Sequence, residues 1–377
     1  MPRRSMIMLK LDRPHNDLPP LPPRADIETK EVLKRCIGAR TALERLRTAG
    51  HLIPNQAVLA SIPLLEARGS SEIENIVTTN DALFREASLG GEGSDPATKE
   101  AHRYRTALFD GYMALRNRPV STRLAVDICR KITAIDLDVR STPGTSLRNV
   151  ATGEVVYTPP EGPDRLRDLL ANWEKYINEP SDLDPVVKMA VQHYQFEAIH
   201  PFIDGNGRTG RILNILCLVQ DGLLDLPTLY LSRHILKNRA QYYKLLGEVT
   251  TEGNWVAWIL YMLEAVETTA LWTDQKIRAI RQMMDAATEL VRGNAPNIYS
   301  RELIELIFSH PYCRIGDVVK GGIAKRQVAS NQLKGLAQLG VLQEYKHGRD
   351  KLFFHWNYVD LLDSESNVIN AYPTGPI

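Results

Sequence analysis

Apolar residues recur at helical spacing through most of the first 290 positions, and this periodicity restricts the chain to architectures of amphipathic helices packed on one another. Between Ile27 and Arg47 the stripe is Val32, Leu33, Cys36, Ile37, Leu43 and Leu46, and Gly50 supplies a stop. A second helix is expected from Pro54 through Leu65 and a short third from Ser70 to Leu83. Further helical patterns cover 97–117, 120–135, 163–178, 183–198, 208–222, 235–250 and 253–290. Two regions depart from the theme. NVATGEVVYTPP at 149–160 sets β-branched residues around a Thr152-Gly153 turn, which predicts a β-hairpin. Beyond Gly293 and Pro296, helical patterns at 300–309, 314–320 and 324–339 precede VLQEY, a Gly348 turn and KLFFHW, the order of a winged helix. The expectation is a mainly α protein in three segments. Residues 1–95 form an arm and helices, 96–292 a helical core with a small β-hairpin flap, and 293–377 a winged-helix-like domain.

A chain of 377 residues exceeds the usual size of one hydrophobic core. Its net charge of +1 provides no global field to gather nucleic acid or a membrane, so partners must be recognised locally. Arg3 and Arg4 are followed by MIMLKLD, too short and too soon charged for a signal peptide. No later apolar run reaches the ~18 residues of a membrane span. A cytoplasmic protein without membrane association is expected. Cys36, Cys129, Cys217 and Cys313 lie far apart with no CxxC pair and read as free thiols. The five prolines in RPHNDLPPLPPR at 13–24 predict an extended arm packed on a neighbouring domain.

The segment richest in chemistry is FEAIHPFIDGNGRTGRILNILCLV, Phe196 to Val219. Its second half is apolar at helical spacing, so a helix begins near Gly207, and the glycine-rich loop feeds that helix N-terminus. Gly205 and Gly207 permit close approach of a ligand, and the first N–H groups of a helix attract anions. Arg208 and Arg211 share one helix face and can aim two guanidinium forks at one phosphate chain. Asp204 offers the hard oxygen that Mg²⁺ prefers, with phosphates and waters completing the octahedron. His200, with an ordinary pKa near 6.5, can take a proton from an attacking hydroxyl. Each residue alone has a plain structural explanation, but base, metal ligand, anion hole and cations within one short segment suit phosphate chemistry.

HPFIDGNGR at 200–208, continuing to Arg211, resembles the Fic signature H-x-F-x-D/E-G-N-G-R-x-x-R at every defined position. The resemblance extends over roughly 100–290 and includes HYQFEAI, the hairpin with Tyr157-Thr158-Pro159-Pro160, and LSRHILKNRAQYYKLL. It implies a protein adenylyltransferase that moves AMP from ATP to a Ser, Thr or Tyr hydroxyl of a target protein or of itself. His200 would be the general base and Asp204 the Mg²⁺ ligand. Gly205, Asn206, Gly207, Arg208, Thr209, Gly210 and Arg211 would handle the ATP phosphates, with Gly205, Asn206 and Gly207 forming the anion hole and Phe202 anchoring the loop. Asn238, Tyr242 and Tyr243 are candidates for the adenosine pocket. A flap strand of Val155, Val156, Tyr157 and Thr158 would align the target, with Tyr157 clamping the modified residue. Kinase-like members typically carry lysine at the second loop glycine, whereas this chain keeps Gly207, which favours AMP transfer. Upstream, Ser70-Ser71-Glu72-Ile73-Glu74-Asn75 resembles the inhibitory pattern S/T-x-x-x-E-G/N of self-restrained Fic proteins. In that reading Ser70 and Glu74 share a helix face, and the Glu74 carboxylate occupies the Arg211 fork meant for the γ-phosphate. Homodimers are common among proteins of this layout.

A rival reading locates function in the C-terminal segment, where Lys320, Lys325, Arg326 and Lys334 could meet DNA phosphates and Lys346 to Lys351 form a basic wing. Winged helices also serve protein interaction, and the near-neutral chain weighs against DNA.

Overall fold

The computed structural model describes residues 12–89, 95–148, 152–347, 350–370 and 372. In chain order its helices and strands are α1 (Lys30–Gly50), α2 (Ser61–Ile73), α3 (Asn80–Leu89), α4 (Pro96–Ala114), α5 (Thr122–Thr133), β1 (Leu147–Arg148), β2 (Val155–Tyr157), α6 (Pro163–Asn178), α7 (Pro185–Ile199) and α8 (Asn206–Gln220). There follow α9 (Ser232–Lys237), α10 (Arg239–Glu252), α11 (Trp255–Asn294), α12 (Arg301–Ser309), β3 (Tyr312–Arg314), α13 (Ile315–Lys320), α14 (Arg326–Gln338), β4 (Gln343–His347), β5 (Asp350–Phe354) and α15 (Trp356–Asp363). The chain is mainly α, as its periodicity predicts. It divides into two compact units, neither contiguous: Met1–Leu43 with Thr106–Pro227 and Leu231–Thr268, and Glu44–Arg105 with Thr228–Tyr230 and Thr269–Ile377.

The first unit is built around α7 and α8. Only Pro185, Lys188 and Glu197 of α7 are not buried, the mark of a helix enclosed on all sides. Its backbone also receives two indole donors, Trp173 Nε1 to the Gln192 carbonyl at 3.1 Å and Trp258 Nε1 to the Ala190 carbonyl at 2.8 Å. Gln192 Nε2 donates to Asn214 Oδ1 of α8 at 2.7 Å, so the two central helices are locked in register through a buried amide pair.

Two small features flank this pair. The hairpin is short, with Leu147 opposite Tyr157 and Arg148 opposite Val155; residues 149–151 of its expected turn lie outside the described residues. The proline-rich arm forms no helix, as its five prolines require, but it turns rather than extends, with Leu18 N–H donating to the His15 carbonyl at 3.1 Å, and it is bound at both ends. Asn172 of α6 donates to the Leu21 carbonyl at 2.9 Å and accepts from the Leu21 N–H at 2.7 Å. His15 N–H donates to the Thr158 carbonyl at 3.0 Å, just past β2, and Gln195 Nε2 to the Pro19 carbonyl at 2.9 Å.

In the second unit the expected helices at Pro54–Leu65 and Ser70–Leu83 are replaced by a 3₁₀ turn (Gln56–Ala60), α2 and α3. The Gly69-Ser70-Ser71 run, between and at the start of the expected helices, lies inside α2 and is buried. A Cβ on Gly69 would come within 2.8 Å of the Tyr230 ring, so glycine there serves close packing. The three helices and hairpin expected in the C-terminal segment are present, joined by β3 in an antiparallel sheet of order β3-β5-β4. Neither β3 nor α15 is apparent from the sequence pattern. α15 seats Tyr358, whose hydroxyl lies 3.0 Å from Ser61 Oγ.

Candidate active site

The loop from His200 to Gly205 leaves α7 and enters α8, and each of its turns has a local cause. His200 is the C-cap of α7 in the left-handed region (φ 50°, ψ 60°), a conformation that costs a non-glycine residue about 1–2 kcal/mol and must be held by its surroundings. The holding residue is Arg140, which is buried. Its Nε donates to the His200 carbonyl at 2.8 Å, one Nη to the Ile199 carbonyl at 3.3 Å and to the Pro160 carbonyl, and its own N–H to the Pro201 carbonyl at 2.9 Å. One guanidinium thereby joins the end of α7, the His200 peptide and the exit of the flap. Sequence reasoning missed Arg140, because its partners are carbonyls remote in the chain and no motif marks them.

Phe202 is fully buried, and its peptide is gripped on both sides by Asn206: Phe202 N–H donates to Asn206 Oδ1 and Asn206 Nδ2 donates to the Phe202 carbonyl, each at 2.8 Å. The Asn206 side chain is therefore a loop clamp, not a lining of the anion hole. What Asn206 and Gly207 offer an anion is the backbone, since the first α8 bond runs from Thr209 N–H to the Gly205 carbonyl at 2.9 Å and leaves the earlier N–H groups outside the helix ladder. Gly205 is the N-cap at φ 82°. A Cβ there would lie 3.0 Å from both Cys129 Sγ and Thr133 Cγ2 of α5, so strain and space both require glycine. Burial pushes the Cys129 thiol up to about 12, and its Sγ donates to the Asp204 carbonyl at 3.2 Å; it braces the loop and is no nucleophile.

Asp204 is 61% exposed, with Oδ1 accepting from Arg208 Nη2 at 2.8 Å and from Gly205 N–H at 2.6 Å. Among the described residues no three His, Cys, Asp or Glu side chains cluster as a metal cage. A single outward carboxylate suits Mg²⁺, which draws its other ligands from phosphates and water. Arg208 and Arg211 are both buried. Gly210 allows the close helix crossing, where a Cβ would meet Glu197 Oε1 at 2.7 Å and the His193 ring at 3.3 Å. His193 is enclosed; burial, with the Arg211 charge beside it, lowers its pKa to about 3, so it stays neutral and shares a 2.9 Å hydrogen bond with the Tyr242 hydroxyl.

That contact corrects one expectation. Tyr242 is 1% exposed, packed on Trp258 and Tyr261, and so is core rather than a wall open to nucleotide. Tyr243 is exposed beside the Arg239 guanidinium, and Asn238 donates to the His234 carbonyl at 3.0 Å at the junction of α9 and α10. In the flap, Val156 is exposed while the Tyr157 hydroxyl donates to the Ala198 carbonyl at 2.9 Å. Tyr157 is thus an anchor of the flap, and a clamping role would require that bond to be given up. Thr158 is buried under the arm.

In the second unit, Ser70 is buried in α2 and Glu74 is its C-cap, followed by Asn75 at φ 63°. The last position of the inhibitory pattern thus coincides with a left-handed helix end, which explains in physical terms why glycine or asparagine occupies it.

Three family models match consecutive stretches: Fic/DOC family N-terminal over 33–113, Fic/DOC family over 119–218, and "Protein adenylyltransferase SoFic-like, C-terminal domain" over 283–358. The chain carries the domains of the Fic/DOC family. Relatives include the protein adenylyltransferase Fic of Drosophila erecta, 30% identical over 155 residues, and protein adenylyltransferase fic-1 of Caenorhabditis briggsae, 29% identical over 145. Each match covers 38% of this chain, and it spans 30% and 26% of those proteins respectively. A crystal structure of a Fic family protein from Desulfovibrio desulfuricans has TM-score 0.57 at 18% identity, covering 89% of this chain and 98% of its own. A Fic domain containing signaling protein from Bacteroides thetaiotaomicron has TM-score 0.53 at 18% identity, covering 64% and 97%. These likenesses show a Fic fold, and the matched Fic domain ends just within α8, so it contains the whole His200–Arg211 loop.

Proposed function

We propose that the chain is an ATP-dependent protein adenylyltransferase that transfers AMP to a hydroxyl of a target protein or of itself. The observation that carries the reading is the rigid delivery of His200, Asp204 and the α8 N-terminus onto one short loop, held by Arg140 and Asn206. The adenylyltransferase relatives supply the reaction class.

In this mechanism the backbone N–H groups at the start of α8 and the side chains of Arg208 and Arg211 bind the phosphate chain. Bound Mg²⁺, held by Asp204, would neutralise phosphate charge. His200 accepts the proton of the incoming hydroxyl as its oxygen attacks the α-phosphorus, and pyrophosphate leaves. Asp204, whose Oδ1 accepts from Arg208 Nη2 in this structure, would hold the metal beside the Arg208 guanidinium. The exposed Val156 edge suits main-chain recognition of an extended target segment. Retention of Gly207 supports AMP over phosphate transfer. The inhibitory role of Glu74 rests on its motif: its carboxylate would compete with nucleotide phosphate for Arg211.

Isotope position separates the alternatives. With ATP labelled at the α-phosphate the modified protein should retain label, and with γ-labelled ATP it should not. Retention of γ-label alone would replace adenylylation with phosphorylation.

A further inference from the structure

The near-neutral charge of the chain conceals a segregation. Residues 315–354 carry seven Lys and Arg against three Asp and Glu, a net of +4, which leaves the remainder at −3. From Val318 to Gln343 there is no acidic residue. Within this stretch α14 buries Ala329, Gln332, Leu333 and Leu336 and presents Arg326, Gln327, Val328, Asn331, Lys334 and Gln338 to solvent. An exposed face shaped for helix stability sets acids near the N-terminus and mixes charges along its length. α14 does the reverse: Lys325 is its N-cap without a side-chain cap bond, Arg326 opens the first turn, and that turn holds no acid. Helix stability does not account for two cations there; a polyanion lying over the face does.

The chemistry of the face is specific. Gln327 and Asn331, one turn apart, carry the amides that pair bidentately with adenine in the major groove, and exposed Val328 beside them matches a thymine methyl. Exposed Lys325, Arg326 and Lys334 lie at the N-cap and along α14, and exposed Lys320 ends the preceding α13, a set suited to phosphate contacts. The β4–β5 hairpin adds exposed Lys351, although this side chain is paired with Glu344.

We propose that the solvent face of α14 binds double-stranded DNA, with the helix in the major groove, Gln327 and Asn331 toward base edges, and Lys320, Lys325, Arg326 and Lys334 on phosphates. The inference is independent of the adenylylation reading. It is tested by fluorescence anisotropy of the full chain with a labelled mixed-sequence duplex over a salt series. Four phosphate contacts give log K against log[salt] a slope of about −3 to −4. The double variant Lys325→Glu with Arg326→Glu, its fold checked by circular dichroism, should weaken binding about tenfold or more and reduce the slope by about 2. Gln327→Ala with Asn331→Ala should keep that slope and erase any preference among duplexes selected from a random pool. Three results would each overturn the proposal. These are no salt-dependent binding at low ionic strength, binding that the double charge variant leaves unchanged, and sedimentation showing a dimer that the same variant dissolves while duplex is ignored. The last would assign the face to a second copy of the chain.

Discussion

Arg140 supports the His200–Gly205 loop from outside the signature. Its guanidinium satisfies carbonyls of Ile199, His200 and Pro160 in a buried setting, so truncation leaves several acceptors unmet, at about 1–3 kcal/mol each. Arg140→Met should therefore lower stability, seen as a fall in urea midpoint. It should also reduce kcat for AMP transfer while ATP affinity, measured calorimetrically, changes little. Arg140→Lys, which keeps the charge and donors on a single nitrogen, should recover part of kcat. Unchanged kcat in Arg140→Met would remove its positioning role. Asn206→Ala gives a second prediction: losing both bonds to the Phe202 peptide should cost about 2 kcal/mol, and activity should fall further than thermal unfolding accounts for. The Fic signature made Asn206 visible by type, since asparagine stands at its place in the motif. It did not say that the amide clamps Phe202 instead of lining the anion hole. Tyr242 shows the converse failure: an aromatic pair at helical spacing does not reveal which ring faces the core, and here His193 and Trp258 enclose it.

At the scale of elements, strong periodicity and specific punctuation were legible and weak punctuation was not. α6, α7 and α8 begin where Pro163, Pro185 and the GNG turn direct, because proline and glycine act locally. The stretch 235–250 is divided at Asn238, whose side chain caps α9, a break that apolar spacing alone does not register. α2 runs through Gly69-Ser70-Ser71, and Gly69 within it packs against Tyr230, a contact from remote sequence. This changes the energetics expected of Glu74. At the end of α2, rather than inside it, Glu74→Gly avoids the ~1 kcal/mol helix-interior cost, and its stability should stay within about 0.5 kcal/mol of wild type. A thermal melt checks this, and a loss above that range would mean the cap carboxylate holds the fold. The arm supports a further expectation. Since His15 bonds the Thr158 carbonyl beyond β2 and Asn172 fixes Leu21, deleting residues 1–24 should raise KM for a protein target while leaving ATP affinity intact. Equal loss of both would indicate general unfolding instead.

For the whole molecule, two buried histidines couple stability to pH. Burial lowers His193 and His355 to about 3, against an unfolded value near 6.5. Below 6.5 the unfolded chain binds protons that the folded chain refuses, so this contribution to stability is lost as pH falls from 6.5 toward 3, by about 1.4 kcal/mol per pH unit for each group. Calorimetric unfolding near pH 5, in buffers of differing ionisation enthalpy, should register uptake of about two protons or more; uptake below one would contradict the burial of these rings. The two compact units also interleave along the chain. The central claim, AMP transfer by the loop that begins at His200, is tested most directly by intact mass after incubation with ATP and Mg²⁺ in the Glu74→Gly background. With His200 intact, one AMP should add to the chain or to proteins of a lysate. With His200→Ala, transfer should fall by about 10² to 10⁴ while calorimetry still shows ATP binding. Equal AMP addition with and without His200 would contradict the account.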